Sequence, residues 1–472
     1  VGDRVLKRIY VGLAVLAVVP IWSAAYIPTV DGPSHVYNSW LIRMLLTGGD
    51  GAAAQVFAID WRPHPNWIGH AVMALLMFVV PPVIAEKLLV TGIVLLFFVA
   101  CWMYAGTVDE SRRAVAFVAM PFAYNFLLHM GFYNFCIGAA LYFIVLAVWW
   151  RRRDRPDART LTLIASLLVL IYFSHVLPAV LAVGSIGILW LATLRGRRVA
   201  AHARHLIAFV PLVPLFLWFL RNRGVERVSG VWDLGGLLNY LRWFTVVTTF
   251  DTYQARFGTG LSYLFIALIV VTLARRRWRF EEGDAFLLVT FALLAIFLRS
   301  PRMMSGGTMI LERMALFVTL SPLAWLAPRL PRRATAAMVI LLTILSLVYG
   351  TYLVRRYRGI SRRVAQLVRS ADEVPEGSRV TTIIAVNRAP GSFLPLLDHA
   401  FGYVAAAKHV AQVDNYEVKV GYFPIKLREE KPAAEYVFAW QLPPVSPAAM
   451  ELAQTHRLIA EHDGGRVYLR NR

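Results

Sequence analysis

The stretch Asp31-Gly32-Pro33-Ser34-His35-Val36-Tyr37-Asn38 is the part of the chain best equipped for chemistry. Its carboxylate follows closely on the apolar run Ile9 to Tyr26 and so stands at the edge of an apolar layer. Gly32 and Pro33 interrupt any helix continuing from that run, which lets Asp31 project into a cavity as a proton acceptor. Ser34 is suited to cap the helix expected over His35 to Leu46, so Asp31 is not needed there. A second charged group comes late in the chain, with Arg299 and Arg302 followed by Glu312-Arg313 at the start of an apolar helix. Guanidinium groups match phosphate oxygens through their forked donors, which makes Arg313 the leading candidate for an anion contact. An ionisable pair such as Glu312 and Arg313 is costly in lipid and should face protein or a water-filled cavity. His35, His64, His70 and His175 add imidazoles able to move protons or bind phosphate. Their spacing matches no zinc signature, so neither a metal site nor a cofactor is expected. Glu86-Lys87 begins an apolar run and offers a second acid near the expected cavity.

The elements that hold these residues are mostly apolar. Of 472 residues 58% are hydrophobic and only 16% charged, too few charges to coat a soluble protein of this size. Apolar blocks follow the first run at 85–106, 113–130, 133–150, 160–174, 176–194, 204–220, 261–274, 284–298, 310–327 and 335–354. Each approaches the length that crosses a hydrocarbon core, giving about eleven transmembrane helices in an all-α polytopic protein. The stretch 67–80 decides the orientation of everything after it. If it does not cross, the arginine-rich loops at Arg151–Arg155, Arg195–Arg198, Arg275–Arg279 and Arg329–Arg333 all lie on the N-terminal side. The alternate loops around 131–133 and 174–177 carry no Lys or Arg. Positive charge marks the cytoplasmic side, so 67–80 reads as a surface or re-entrant helix. The expected location is therefore a plasma or inner membrane, with a cytoplasmic N-terminus and an outer C-terminal tail. A net charge of +21 would suit nucleic acid, but the arginines sit in short runs between apolar blocks rather than on one soluble face. No nucleic-acid partner is expected; the lipid bilayer is.

Two domains follow. Residues 1–355 form the transmembrane part, with long outer loops at 28–84 and 221–260, the latter carrying a surface helix near Leu237 to Val247. Residues 356–472 form a small soluble α/β domain. There Arg362 to Ala371 and Ala448 to Glu461 read as helices, while Arg379 to Val386, Ala434 to Trp440 and Arg466 to Leu469 read as strands.

One span, a large outer loop opening on an acid, a surface helix and then short alternating loops resemble the GT-C membrane glycosyltransferases. The resemblance covers the topology of about 350 residues and implies a sugar delivered on a polyprenyl phosphate at the outer face. It implies for Asp31 the role of base or metal ligand. Many members carry further acids in the second outer loop, which here reads His129-Met130-Gly131-Phe132-Tyr133-Asn134 and has none. That departure favours the metal-independent type, as in the protein mannosyltransferases and the lipid A aminoarabinose transferases. Asp31 is then the catalytic residue, and His35, Glu86, Tyr133, Asn134, His175, Arg299, Arg302, Glu312 and Arg313 are candidates for binding donor or acceptor. The acceptor is unknown from the sequence. The alternative readings are a transporter or flippase of lipid-linked envelope material, and a non-catalytic envelope-assembly subunit. Internal repeats and midplane polar residues, common in transporters, are not found.

Overall fold

The computed structural model describes residues 2–194, 198–222, 233–242, 245–276, 281–301, 309–428 and 433–471. Among the described residues, six helices are long and apolar enough to cross a membrane: Asp3–Trp22, Pro82–Ala105, Tyr133–Arg152, Val176–Thr193, Thr252–Arg276 and Arg332–Ser370. The chain thus has the make-up of a multi-pass membrane protein, with fewer full-length spans among the described residues than the apolar blocks suggest. Proline accounts for two of the shortfalls. The block 113–130 becomes a buried 3₁₀ helix, Glu110–Tyr124, with Pro121 inside it, followed by the short helix Phe126–His129; Pro121 has no N–H to donate to a regular helix. The block 310–327 stops as an α-helix at Leu320 and continues as the 3₁₀ turn Ser321–Ala324, where Pro322 has no N–H to carry the α-helical ladder on. Residues 67–80 form only Ile68–Leu76. Nine residues at about 1.5 Å each rise less than half the thickness of a hydrocarbon core.

The chain divides into two compact units. The first holds Val1–Val18, Ile93–Leu128 and Asn134–Thr351. Its buried Tyr104 donates to the Ser321 carbonyl (3.0 Å) and packs on Phe143 and Phe286. Where Thr252–Arg276 ends, buried Arg276 pairs with Asp284, whose Oδ1 also accepts from Trp325 Nε1 at 2.8 Å. In the expected surface segment the structure has the helix Leu234–Arg242 and the 3₁₀ turn Thr245–Val247.

The second unit holds Val19–Gly92, His129–Tyr133 and Tyr352–Arg472. It therefore joins residues 28–84, expected as the first outer loop, to the tail. Seven strands lie in this unit: β1 Phe57–Ile59, β2 Arg379–Ile384, β3 Ala411–Gln412, β4 Ile425–Leu427, β5 Tyr436–Trp440, β6 His456–His462 and β7 Gly465–Arg470. Five form a sheet in the order β3-β2-β5-β7-β6, with β2 parallel to β3 and β5 and the remaining pairs antiparallel. Central β5 is buried along nearly its whole length, as the unbroken apolar run Val437-Phe438-Ala439-Trp440 requires. β1 and β4 pair separately and antiparallel, Phe57 facing Leu427 and Ile59 facing Ile425.

The expected helix Ala448 to Glu461 is corrected. The helix is Pro447–Thr455, capped by the Ser446 side chain, and the chain then turns into β6. Asp463-Gly464, both at positive φ, make a two-residue hairpin turn that demands an extended strand on each side. The helix expected over Arg362 to Ala371 is the end of one continuous helix, Arg332–Ser370.

Candidate active site

The helix bearing Asp31 begins three residues earlier than expected, at Gly32, and runs to Leu46. Pro33 sits in its first turn, where a missing N–H costs nothing. Asp31 takes the N-cap position but its side chain caps nothing. The carboxylate is thus free for other work, although the helix does not start at Ser34.

Backbone fixes it in place. Val30 N–H donates to the His129 carbonyl and Asp31 N–H to the Met130 carbonyl, at 2.9 and 3.0 Å. Gly131 adopts φ +84°, and a Cβ there would stand 2.6 Å from Gly32 N. At Gly32 a Cβ would fall 2.2 Å from Thr29 Oγ1, 2.4 Å from the Tyr133 hydroxyl and 2.5 Å from Glu86 Oε1. The two glycines therefore allow the 129–131 segment to lie directly against the acidic turn.

Beneath that turn, Glu86 is fully buried and accepts from Tyr133 and Tyr403, each at 2.7 Å. Tyr133 also contacts Thr29 Oγ1 at 3.0 Å. Lys87 does not pair with Glu86; its Nζ donates to the Ala24 carbonyl at 2.6 Å. Glu86 and Tyr133 thus brace Gly32.

The inward face of Gly32–Leu46 holds a loop of the tail. Tyr37 donates to the Val410 carbonyl (2.8 Å) and accepts from Gln412 N–H (3.0 Å). Asn38 and Asn415 exchange side-chain hydrogen bonds at 2.8 and 3.3 Å. This lock carries Tyr416 and Glu417 under the start of the helix. His35 Nδ1 lies 2.8 Å from Glu417 Oε1, and His70 Nε2 lies 2.9 Å from Glu417 Oε2. All three residues are buried. Burial alone would raise the Glu417 carboxyl, but His70 and His35 outweigh it and hold it well below the usual range. For His35, burial opposes the charged form, and the Glu417 carboxylate more than offsets this, so its pKa rises.

Asp31 differs from these two acids in its accessibility. Its side chain is 14% exposed, against none for Glu86 and Glu417, so a ligand from outside can reach it. His399 Nε2 lies 3.6 Å from Asp31 Oδ1 and stacks on Tyr416, ring centres 4.4 Å apart. The Tyr416 hydroxyl approaches the same carboxylate without forming a regular hydrogen bond. Burial raises the Asp31 carboxyl, and the neighbouring His399 and His35 hold that rise back. A partly desolvated carboxylate beside two imidazoles is suited to accept a proton.

The other candidates belong to the first unit. Arg313 is buried and donates to His175 Nε2 at 2.6 Å, with its guanidinium over the Phe135 ring. Glu312 does not pair with Arg313 but accepts from Tyr240 at 3.0 Å. Asn134 is buried at the start of Tyr133–Arg152, and Arg299 ends the helix Ala285–Arg299. Arg302 lies outside the described residues. His399, Tyr403, Tyr416 and Glu417 were not among the sequence candidates. Nothing local marks them, since their partners are hundreds of positions away.

The chain is mostly helical, with a small mixed sheet near its C-terminal end. Among solved structures, the chain is similar to arabinofuranosyltransferase AftD from mycobacteria, seen by cryo-electron microscopy in a mutant form, with a TM-score of 0.54 and 13% identity. That likeness covers 98% of this chain and 41% of the other, so the chain spans about two fifths of its neighbour's length. No protein-family profile matches the sequence, and no curated protein matches it.

Proposed function

We propose that the chain is a membrane glycosyltransferase that moves a sugar from a polyprenyl-phosphate donor to an acceptor hydroxyl at the extracytoplasmic face. The observation that carries the reading is Asp31: a partly exposed carboxylate that caps no helix, held rigidly by the 129–131 backbone and faced by His399. The likeness in fold to an arabinofuranosyltransferase supports it. In this reading the acceptor oxygen attacks the anomeric carbon while Asp31 takes its proton. The bond from that carbon to the phosphate oxygen breaks, and the lipid phosphate leaves with the electron pair. Arg313 is the proposed phosphate contact on the strength of its chemistry, since a buried guanidinium favours an anion. Its test is Arg313→Lys, which keeps the charge and loses the fork. Donor affinity should fall in a protein that still folds, and unchanged affinity would reduce Arg313 to a packing residue.

The activity is tested by incubating the purified chain with a panel of polyprenyl-phosphate sugars and hydroxyl acceptors. The expected products are a glycosylated acceptor and free polyprenyl phosphate in equal amounts. Sugar that reaches the far side of a vesicle still bound to its lipid would instead indicate transport.

A further inference from the structure

His35, His70 and Glu417 present three ligand atoms within 4.8 Å of one another, all buried. His70 is oriented from behind by the backbone, its Nδ1 lying 3.1 Å from the Asn66 carbonyl. A carbonyl can only accept, so His70 gives that N–H to the backbone and turns Nε2 to Glu417. Nε2 must then carry a second proton, or bind a cation held between it and the carboxylate. His35 Nδ1 faces the other carboxylate oxygen at 2.8 Å, so a divalent cation there would take both nitrogens and the carboxylate as ligands. An imidazole anchored through its far N–H to a backbone carbonyl is the usual outer support of a metal ligand.

Two further features fit this use. Asn66, whose carbonyl orients His70, has φ +75°, a conformation that ordinary residues avoid. Phe423 packs against both histidine rings and makes an apolar wall. Two nitrogens and one carboxylate form a borderline donor set, suited to zinc and similar transition ions rather than to magnesium or calcium.

We propose that His35, His70 and Glu417 bind one divalent transition-metal ion of the zinc class. The ion ties the Asn415–Glu417 loop to the helices Gly32–Leu46 and Ile68–Leu76, and so sets Tyr416 and His399 against Asp31. This holds whether or not the chain is a transferase, because the test measures metal and needs no sugar donor.

The full chain is purified in detergent without a histidine tag, and its metal content is measured. About one zinc per chain is expected, falling at least tenfold in His70→Ala and Glu417→Gln. After chelation, Co²⁺ added to wild type should restore one equivalent and give visible d–d bands. X-ray absorption of the zinc form should show two imidazole nitrogens at about 2.0–2.1 Å, a result that decides the matter even if neither variant folds. A folded wild type that holds no zinc and takes up no Co²⁺ would overturn the proposal, leaving the three as a proton-sharing network. Zinc retained in full by both folded variants would overturn it too, by placing the metal elsewhere.

Discussion

At the scale of single residues, the acidic turn is defined by what surrounds it. Gly32 has three polar side-chain atoms where a Cβ would sit, two of them belonging to the pair Glu86 and Tyr133. Gly32→Ala should therefore destabilise the protein by about 1–3 kcal/mol and lower its thermal midpoint in detergent, since overpacking cannot be relieved in a braced core. A midpoint equal to wild type would mean that the brace yields easily. Tyr403→Phe leaves a Glu86 oxygen without its donor and should cost about 1–3 kcal/mol. Asp60 gives a pH prediction. Its carboxylate accepts from Arg62 Nε at 2.8 Å and from His64 at 2.9 Å. Burial raises it, but these bonds outweigh burial and depress its pKa. A depressed carboxyl contributes stability above the ordinary value of about 3.9, and loses that contribution as pH falls through the folded value. Asp60→Asn should thus lower the midpoint at pH 7 and flatten its fall in acid; parallel acid limbs for the two proteins would contradict the pairing. Asp31, His35, Glu86 and Tyr133 could be singled out in the sequence because glycines and prolines lie near them at the ends of apolar runs. Glu417 was not, because it lies 382 residues from His35 and only the closed fold reveals the pair.

At the scale of elements, the tail and the first outer loop depend on one another. β1 has β4 as its partner, and the helix Gly32–Leu46 holds the tail through Tyr37 and Asn38. A self-standing soluble tail was the natural reading of its β-rich composition, and its strands β2, β5 and β7 were readable from their branched and aromatic runs. The tail's need for residues 19–92 was not readable, since side chains that lock two distant segments carry no periodic signal. A fragment covering 371–472 should therefore lack cooperative unfolding when made alone, and gain hydrogen-exchange protection in β4 and the 410–417 loop when made with 19–92. Full protection of those segments in the isolated tail would show that the first loop is dispensable. The hairpin of β6 and β7 teaches a similar lesson: helix-forming residues before it gave way to a two-residue turn that admits only paired strands.

At the scale of the whole molecule, the apolar blocks announced a polytopic protein, and 67–80 was read as a surface segment from charge; its helix is the short Ile68–Leu76. Among the described residues fewer full-length spans are seen than the eleven expected, and prolines account for part of the difference by turning apolar length into 3₁₀ and broken helices. The orientation proposed from the arginine loops is open to labelling: Arg155→Cys should react only from the cytoplasm and Glu376→Cys only from outside. Both reacting from one side would overturn that topology. The function rests on Asp31 doing chemistry rather than holding the fold. The most direct test sets Asp31→Asn beside Asp60→Asn, two neutralised carboxylates in the same compact unit, and measures sugar transferred from a polyprenyl-phosphate donor by equal amounts of folded protein. The prediction is a fall of about a hundredfold or more for Asp31→Asn, with transfer by folded Asp60→Asn close to wild type. Transfer by well-folded Asp31→Asn at the wild-type rate would contradict the account.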